Sequence, residues 1–366
     1  MKLKIIFDSQ IFFLQKFGGI SRYFAEINSI LNKEKKSLIV SPFYVNEYVA
    51  SSEVLGKKTH VENKLLIKLL RLANKIISEL YVLFFKVDII HETYFSRLVI
   101  NSSRAKRIIT VYDMIHERYP DEFGFNSKTS ALKKKAVDKA DHVICISEST
   151  KNDLIEIFGV CESKISVVYL AASSLGIEYK YSHIDVDKPY LLYVGNRNGY
   201  KNFEGFVKAF SRSSYLKENY QIYCFGGGDF NERELSLIFE LGLNLEHFRI
   251  FFGGDDILNS LYNQATAFIY PSIYEGFGIP PLEAMANNCP VISSNSSSMP
   301  EIIGDAGLFF APDCIDEIQQ KIEELVFNPN LRDELILRGR ERVKEFSWDK
   351  CARDTYKIYE KVIRSE

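Results

Sequence analysis

Short apolar runs recur along the chain, separated by longer stretches with a helical period. The first set is Leu3–Phe7, Ser37–Val40, Ile89–His91, Arg107–Val111, His142–Ile146 and Ser166–Tyr169. The second is Tyr190–Val194, Gln221–Phe225, Arg249–Phe252, Ala267–Tyr270, Pro290–Ser293 and Gly307–Phe310. Rich in Ile, Val, Phe and Tyr, these runs have the pattern of strands buried on both faces of a parallel sheet. Helical spacing marks Ser21–Leu31, Ser130–Lys139, Ser149–Phe158, Phe203–Ser211, Ile257–Gln264 and Pro281–Asn287. Such alternation predicts βαβ units. It breaks once, at residues 171–189, which are polar, lack a period and end in Pro189. Two doubly wound α/β domains are therefore expected, residues 1–180 and 181–346. The helical segment 347–366, with Trp348, Cys351, Tyr356, Tyr359 and Val362 in period, is expected to pack back on the first domain. Ligands of such sheets sit at the carboxyl ends of strands, so a deep cleft between two facing domains is the expected site.

Composition narrows the class. A length of 366 residues suits two domains, and 46% hydrophobic with 26% charged residues is ordinary for a globular protein. The net charge of −2 excludes a strongly basic nucleic-acid binder. Six cysteines (145, 161, 224, 289, 314 and 351) form no C-x-x-C pair or zinc-like cluster, which fits a reducing cytoplasm. The start MKLKIIFDSQIFF reads as a first strand, not a signal peptide, and no apolar stretch is long enough to cross a membrane.

Charge is uneven, however. Residues 57–86 hold seven Lys/Arg against two Glu, a net of +5 that leaves −7 on the remainder. Within them Leu65, Leu66, Leu69, Leu70, Ala73, Ile76, Ile77 and Leu80 recur at helical spacing. Two readings stand: a basic amphipathic helix lying on an anionic membrane, or a surface helix whose apolar face is in the core.

Three segments carry candidate chemistry. In PSIYEGFGIPPLEAMANNCPVISSNSSSMPEIIGDAG (271–307), a strand leads to a loop with Glu275, Gly276 and Gly278. Pro280 and Pro281 then open a helix that carries Glu283. Backbone amides at a helix start bind anions, and carboxylates accept hydrogen bonds from hydroxyls, so the pair suits a phosphate-plus-polyol ligand, a nucleotide sugar. The rival is an ordinary turn with solvated glutamates. In LLYVGNRNGYKNFEGFVKAF (191–210), Arg197 and Lys201 follow a strand end and suit a diphosphate; solvated surface cations are the alternative. In FDSQIFFLQKFGGISRYFAEI (7–27), Gly18 and Gly19 precede a helix capped near Ser21.

In this order and spacing, the three segments resemble the family-4 retaining glycosyltransferases of the GT-B fold, two Rossmann-like domains. TVYDMIHERYP (110–120) and ADHVICISESTKNDL (140–154) resemble the family's first domain. The sub-pattern is similar to bacterial mannosyltransferases of surface polysaccharide synthesis, O-antigen or capsule. The resemblance implies that Glu275 contacts donor-sugar hydroxyls and Glu283 the ribose hydroxyls. Gly276, Phe277, Gly278 and Ile279 would place backbone at the sugar and phosphate. Lys201 would neutralise the leaving diphosphate, and Gly19 would approach the phosphates from the first domain. Gly226, Gly227 and the Phe252–Asp255 turn with Gly253 would meet the base through backbone. Two departures stand out. Asn196 occupies the position after Gly195 where many members carry Arg, with Arg197 next. Tyr112 stands where many carry His, leaving Asp113 and His116 as candidates for the acceptor-side role.

The implied reaction is front-face transfer with retention, through a short-lived ion pair. The departing phosphate oxygen takes the acceptor proton. A nucleotide-sugar donor, GDP-mannose by resemblance, and a glycan or polyprenyl-linked glycan acceptor follow, with no metal or other cofactor. A UDP-sugar transferase, an epimerase and a sugar-binding protein are the rivals. The one D-x-D, Asp185–Asp187, falls in the linker and reads as a solvated turn. His91 either points into the cleft or is a satisfied strand-end histidine.

Overall fold

The computed structural model describes residues 3–123, 128–172, 183–197 and 199–364. Most of the expected linker therefore lies outside the described residues. The chain divides into two compact units, Met1–Leu170 with Trp348–Glu366, and Ala171–Ser347.

The first unit holds a seven-stranded parallel sheet. Its strands are β1 (Ile5–Phe7), β2 (Ser37–Tyr44), β3 (Val54–Lys58), β4 (Ile89–Glu92), β5 (Lys106–Val111), β6 (His142–Cys145) and β7 (Ile165–Val167), in the order β3-β2-β1-β4-β5-β6-β7. Phe7 on β1 lies in register with Ile39 on β2 and His91 on β4. β3 has no counterpart in the sequence reading, because only Val54 of its five residues is buried and VLGKK carries no strand pattern. The second unit holds a six-stranded parallel sheet of β8 (Tyr190–Val194), β9 (Gln221–Phe225), β10 (Phe248–Phe251), β11 (Ala267–Tyr270), β12 (Val291–Ser294) and β13 (Gly307–Phe310). Its order is β10-β9-β8-β11-β12-β13. Both are doubly wound sheets whose order reverses once, beside β1/β4 and beside β8/β11.

The core of the second unit joins Leu191, Tyr193, Phe206, Phe210, Ile222 and Ile269 between sheet and helices. In the first unit the helix Trp348–Arg364 packs on the helix Gly19–Asn32 and buries Cys351, Ala352, Thr355 and Tyr359. Tyr359 and Thr110 each bond a ring nitrogen of buried His91, at 2.7 and 2.9 Å, and burial holds its pKa down to about 3. His91 is thus a satisfied strand histidine. Asp185 and Asp187 are likewise engaged, by Arg249 of β10.

The helix Lys64–Phe84 is built inside out. Asn63 caps it by accepting from the Leu65 and Leu66 amides, and its only buried side chains are Asn74 and Ser78. Asn74 bonds both the N–H (2.8 Å) and the C=O (2.9 Å) of Phe43, next to the register shift in β2 that follows Val40. The opposite face is apolar and open: Leu65 is 67% exposed, Leu83 70% and Phe84 76%, with Leu69, Leu72, Ile76 and Leu80 between them. Part of the apolar surface does pack inward, through half-buried Tyr81 and Val82 against the core of the first unit, while most of it stays open.

Candidate functional site

The carboxyl edge of the second sheet is built from loops that follow β8, β9, β10 and β11. Gly195 donates to the Phe225 carbonyl and Gly226 to that of Phe251, so backbone bonds continue past the strand ends. Gly195, Gly226 and Gly253 therefore sit at the ends of three adjacent strands. Asn196 is exposed, its carbonyl bonded by the Tyr193 hydroxyl at 2.6 Å.

Arg197 does not project from this edge as expected for a diphosphate ligand. Its side chain is buried. Nε meets Glu234 at 2.8 Å, Nη1 meets the Gly226 carbonyl at 3.1 Å, and Nη2 meets the carbonyls of Gly228 (2.8 Å) and Asp229 (2.9 Å). The Phe230 ring lies 4.8 Å from the guanidinium. The correction has a simple cause: three successive glycines at positive φ turn their carbonyls inward, and a fork of five N–H donors satisfies them. Gly227 must be glycine twice over, since φ is +78° and a Cβ would lie 2.8 Å from Arg197 Nη1.

Lys201 does reach the site. It closes a short turn, Gly199–Lys201, before the helix Phe203–Arg212. Its ammonium meets Glu275 Oε1 at 2.5 Å and lies 5.9 Å from the Tyr270 ring. The Tyr270 phenol is pushed well up by burial and then by Glu275, with which it hydrogen-bonds. Glu275 is the hub of a loop fixed by serines. Its amide donates to Ser297 Oγ at 3.1 Å, and its carbonyl accepts from Ser297. The buried Ser298 hydroxyl lies 2.9 Å from the Glu275 carbonyl and 2.8 Å from that of Phe277. Gly278, at φ +109°, caps the helix Ile279–Ala286. Pro280 and Pro281 carry no N–H, leaving Gly278 and Ile279 as the opening donors. Glu283, a turn further on, lies 3.5 Å from the Tyr262 hydroxyl, whose pKa is raised by burial and then by that carboxylate.

Tyr270, Ser297 and Ser298 were missed in the sequence. Ser297 and Ser298 end the run SSNSSS that begins in β12, and Tyr270 ends β11.

In the first unit, Gly18 caps the helix Gly19–Asn32, two residues ahead of the expected start, and Gly19 is exposed with open space beside it. Asp113 and His116 share the turn after β5. Asp113 accepts from the Ile115 amide at 3.1 Å. Buried Lys133 reaches the Asp113 carbonyl at 2.8 Å and Glu117 at 2.7 Å. Tyr112 is buried, its hydroxyl donating to the Thr93 carbonyl at 3.3 Å. The two carboxylates Glu275 and Glu283 thus lie on one loop and helix, whereas Asp113 and His116 belong to the other unit. Among the described residues, no group of three or more His, Cys, Asp or Glu could hold a metal ion.

The carboxyl edge of the second sheet thus brings together a cation, a carboxylate and a glycine-capped helix. Residues 17–172 match the model of Glycosyltransferase Family 4, and residues 178–342 match that of Glycosyl transferases group 1. Between them the models span most of the chain, which belongs to the family-4 glycosyltransferases and has the GT-B pair of Rossmann-like domains.

O-antigen chain mannosyltransferase B of Escherichia coli is 29% identical over 271 residues, covering 70% of this chain and 71% of its own length. O-antigen chain mannosyltransferase RfbU of Salmonella typhimurium is 31% identical over 219 residues, 59% of this chain and 60% of its own. HepE of Anabaena, solved with UDP and glucose, shares the fold with a TM-score of 0.72 at 14% identity, covering 98% of this chain and 99% of that one.

Proposed function

We propose that the chain transfers mannose from GDP-mannose, with retention, to a glycan or polyprenyl-linked glycan during synthesis of a bacterial surface polysaccharide. The observation that carries the reading is the Lys201–Glu275 contact beside the Gly276–Ile279 backbone. Lys201 is placed to neutralise a departing diphosphate, and Glu275 to accept hydrogen bonds from sugar hydroxyls. The bond from the sugar carbon to the diphosphate breaks, the acceptor oxygen bonds that carbon on the same face, and the acceptor proton passes to the diphosphate. Gly18 and Gly19 on the first unit, with Asp113 and His116, are assigned to the phosphate and acceptor side. The mannose preference rests on the two O-antigen relatives. The second reading, a UDP-sugar donor, is favoured by HepE, solved with UDP and glucose.

Peripheral contact with the membrane belongs to the same reading. The basic segment 57–86 turns an apolar face outward, and no described helix is long and apolar enough to cross a bilayer. The test is a screen of GDP- and UDP-sugars against glycolipid acceptors, with Glu275→Ala as control. Turnover of GDP-mannose that Glu275→Ala abolishes supports the proposal. Turnover of UDP-sugars alone replaces it with the second reading, and no nucleotide-sugar turnover rejects both.

A further inference from the structure

The cations of the helix Lys64–Phe84 are not spread around it. With Asn74 and Ser78 facing β2, a turn of 100° per residue places Lys64, Lys68, Arg71 and Lys75 along one flank, beside the open apolar face. That flank borders a cavity of about 240 Å³ in the first unit, lined by Lys68, Arg71, Arg97 and Lys128 together with Phe95 and Leu132. Arg97 follows β4, beside the point where the sheet order reverses. Lys128 opens the helix Lys128–Lys139, whose amino end adds positive potential. None of the four cations has a hydrogen-bond or ion-pair partner among the described residues, and no carboxylate lines the cavity. Two other cations of the segment are paired, Lys75 with Glu79 and Lys58 with Glu47.

We infer that this cavity binds the phosphate group of a membrane lipid whose hydrocarbon chains lie against Leu65, Leu69, Leu72 and Ile76. Four cations without protein partners around one cavity suit an anion of more than one charge, and Arg forks match phosphate oxygens. An apolar face contiguous with them demands that the anion be carried on an amphiphile. The volume, about eight waters' worth of liquid, holds a phosphate or diphosphate head and leaves the chains outside. The inference rests on the membrane contact proposed above and adds to it a defined headgroup site.

The test measures binding of the full chain to phosphatidylcholine vesicles doped with phosphatidic acid. Arg97→Gln/Lys128→Gln is expected to weaken binding about thirtyfold, at about 1 kcal/mol per cation. Lys57→Gln/Lys86→Gln removes the same charge outside the cavity and is expected to weaken it less than threefold. Equal losses in the two variants overturn the site. Arg97 and Lys128 are exposed, so melting temperatures should not move. Inorganic pyrophosphate without vesicles should bind at least tenfold more weakly than the doped vesicles, and equal affinity overturns the lipid source. If the wild-type chain binds no anionic vesicle, the membrane reading falls together with the site. If wild-type binding survives Arg97→Gln/Lys128→Gln, the site alone falls.

Discussion

Lys201 and Glu275 meet at 2.5 Å across the reversal point between β8 and β11, in the unit assigned to donor binding. Each neutralises the other, and under the proposed function a nucleotide sugar would draw the cation onto its phosphates and the carboxylate onto its hydroxyls. Either partner alone is then insufficient. Lys201→Met and Glu275→Gln are each expected to lower kcat by about 10²- to 10³-fold, the usual effect of removing one preorganised electrostatic group. The double variant should lose less than the product of the two. Steady-state kinetics on the three proteins checks this, and simple additivity would show that the pair does not act as a unit.

Arg197 holds the glycine turn from beneath, so its replacement is a stability mutation before it is an activity mutation. Arg197→Lys leaves Glu234 and several inward carbonyls short of donors and is expected to cost about 3 kcal/mol or more. Gly227→Ala meets the same guanidinium from the other side and should also destabilise. Urea melts distinguish this from the diphosphate role expected of Arg197, under which Arg197→Lys would melt normally and only lose activity.

Ser298 is buried and ties the Glu275 and Phe277 carbonyls together. Ser298→Ala is expected to cost about 1–2 kcal/mol. It should also lower kcat without abolishing nucleotide binding, since Ser297 still holds the loop but Glu275 and Phe277 are no longer tied together. Melting and nucleoside diphosphate titration of the same preparation separate the two effects.

On the helix Lys64–Phe84, ordinary intuition about polar and apolar substitutions reverses. Asn74→Leu strands both backbone groups of Phe43 and should destabilise the first unit by about 2 kcal/mol. Leu69→Ser/Ile76→Ser/Leu80→Ser removes side chains about half exposed and should lower the melting temperature by only a few degrees while reducing vesicle binding. A large stability loss in the triple variant would mean that the apolar face is covered in solution.

His91 makes stability depend on pH. Its folded pKa, about 3, lies below the unfolded value near 6.5, so from pH 6.5 down to 3 the unfolded chain binds a proton the native chain does not. Stability from this group is complete above pH 6.5 and is lost as pH falls towards 3. Between pH 7 and 4.5 the wild type should lose about 2–3 kcal/mol more than His91→Gln, which keeps a donor and an acceptor but does not titrate. Urea melts at the two pH values give the difference, and parallel losses would refute it.

The strand–helix alternation was readable because buried parallel strands are apolar throughout, as in Tyr190–Val194 and Ala267–Tyr270. Val54–Lys58 escaped because an edge strand needs only backbone partners and leaves no side-chain pattern. Lys201 and Glu275 were legible from their place after strand ends. The fate of Arg197 was not, since a loop arginine looks the same whether its guanidinium meets substrate or three inward carbonyls. Periodicity found the helix Lys64–Phe84 but not which face is buried, because two polar residues, Asn74 and Ser78, outbid eight apolar ones through bonds to one strand. The serines of SSNSSS gave no hint of partners because loop serines are usually solvated.

Tyr359 reaching His91 has a consequence for biosynthesis. The second unit is continuous in sequence, whereas the first is interrupted by it. During translation the second unit leaves the ribosome whole while its neighbour still lacks the helix Trp348–Arg364. Until that helix docks, His91 lacks one of its two partners and the helix Gly19–Asn32 has a bare flank. A chaperone that shields nascent chains would find its natural client in the amino-terminal unit, although that unit is made first.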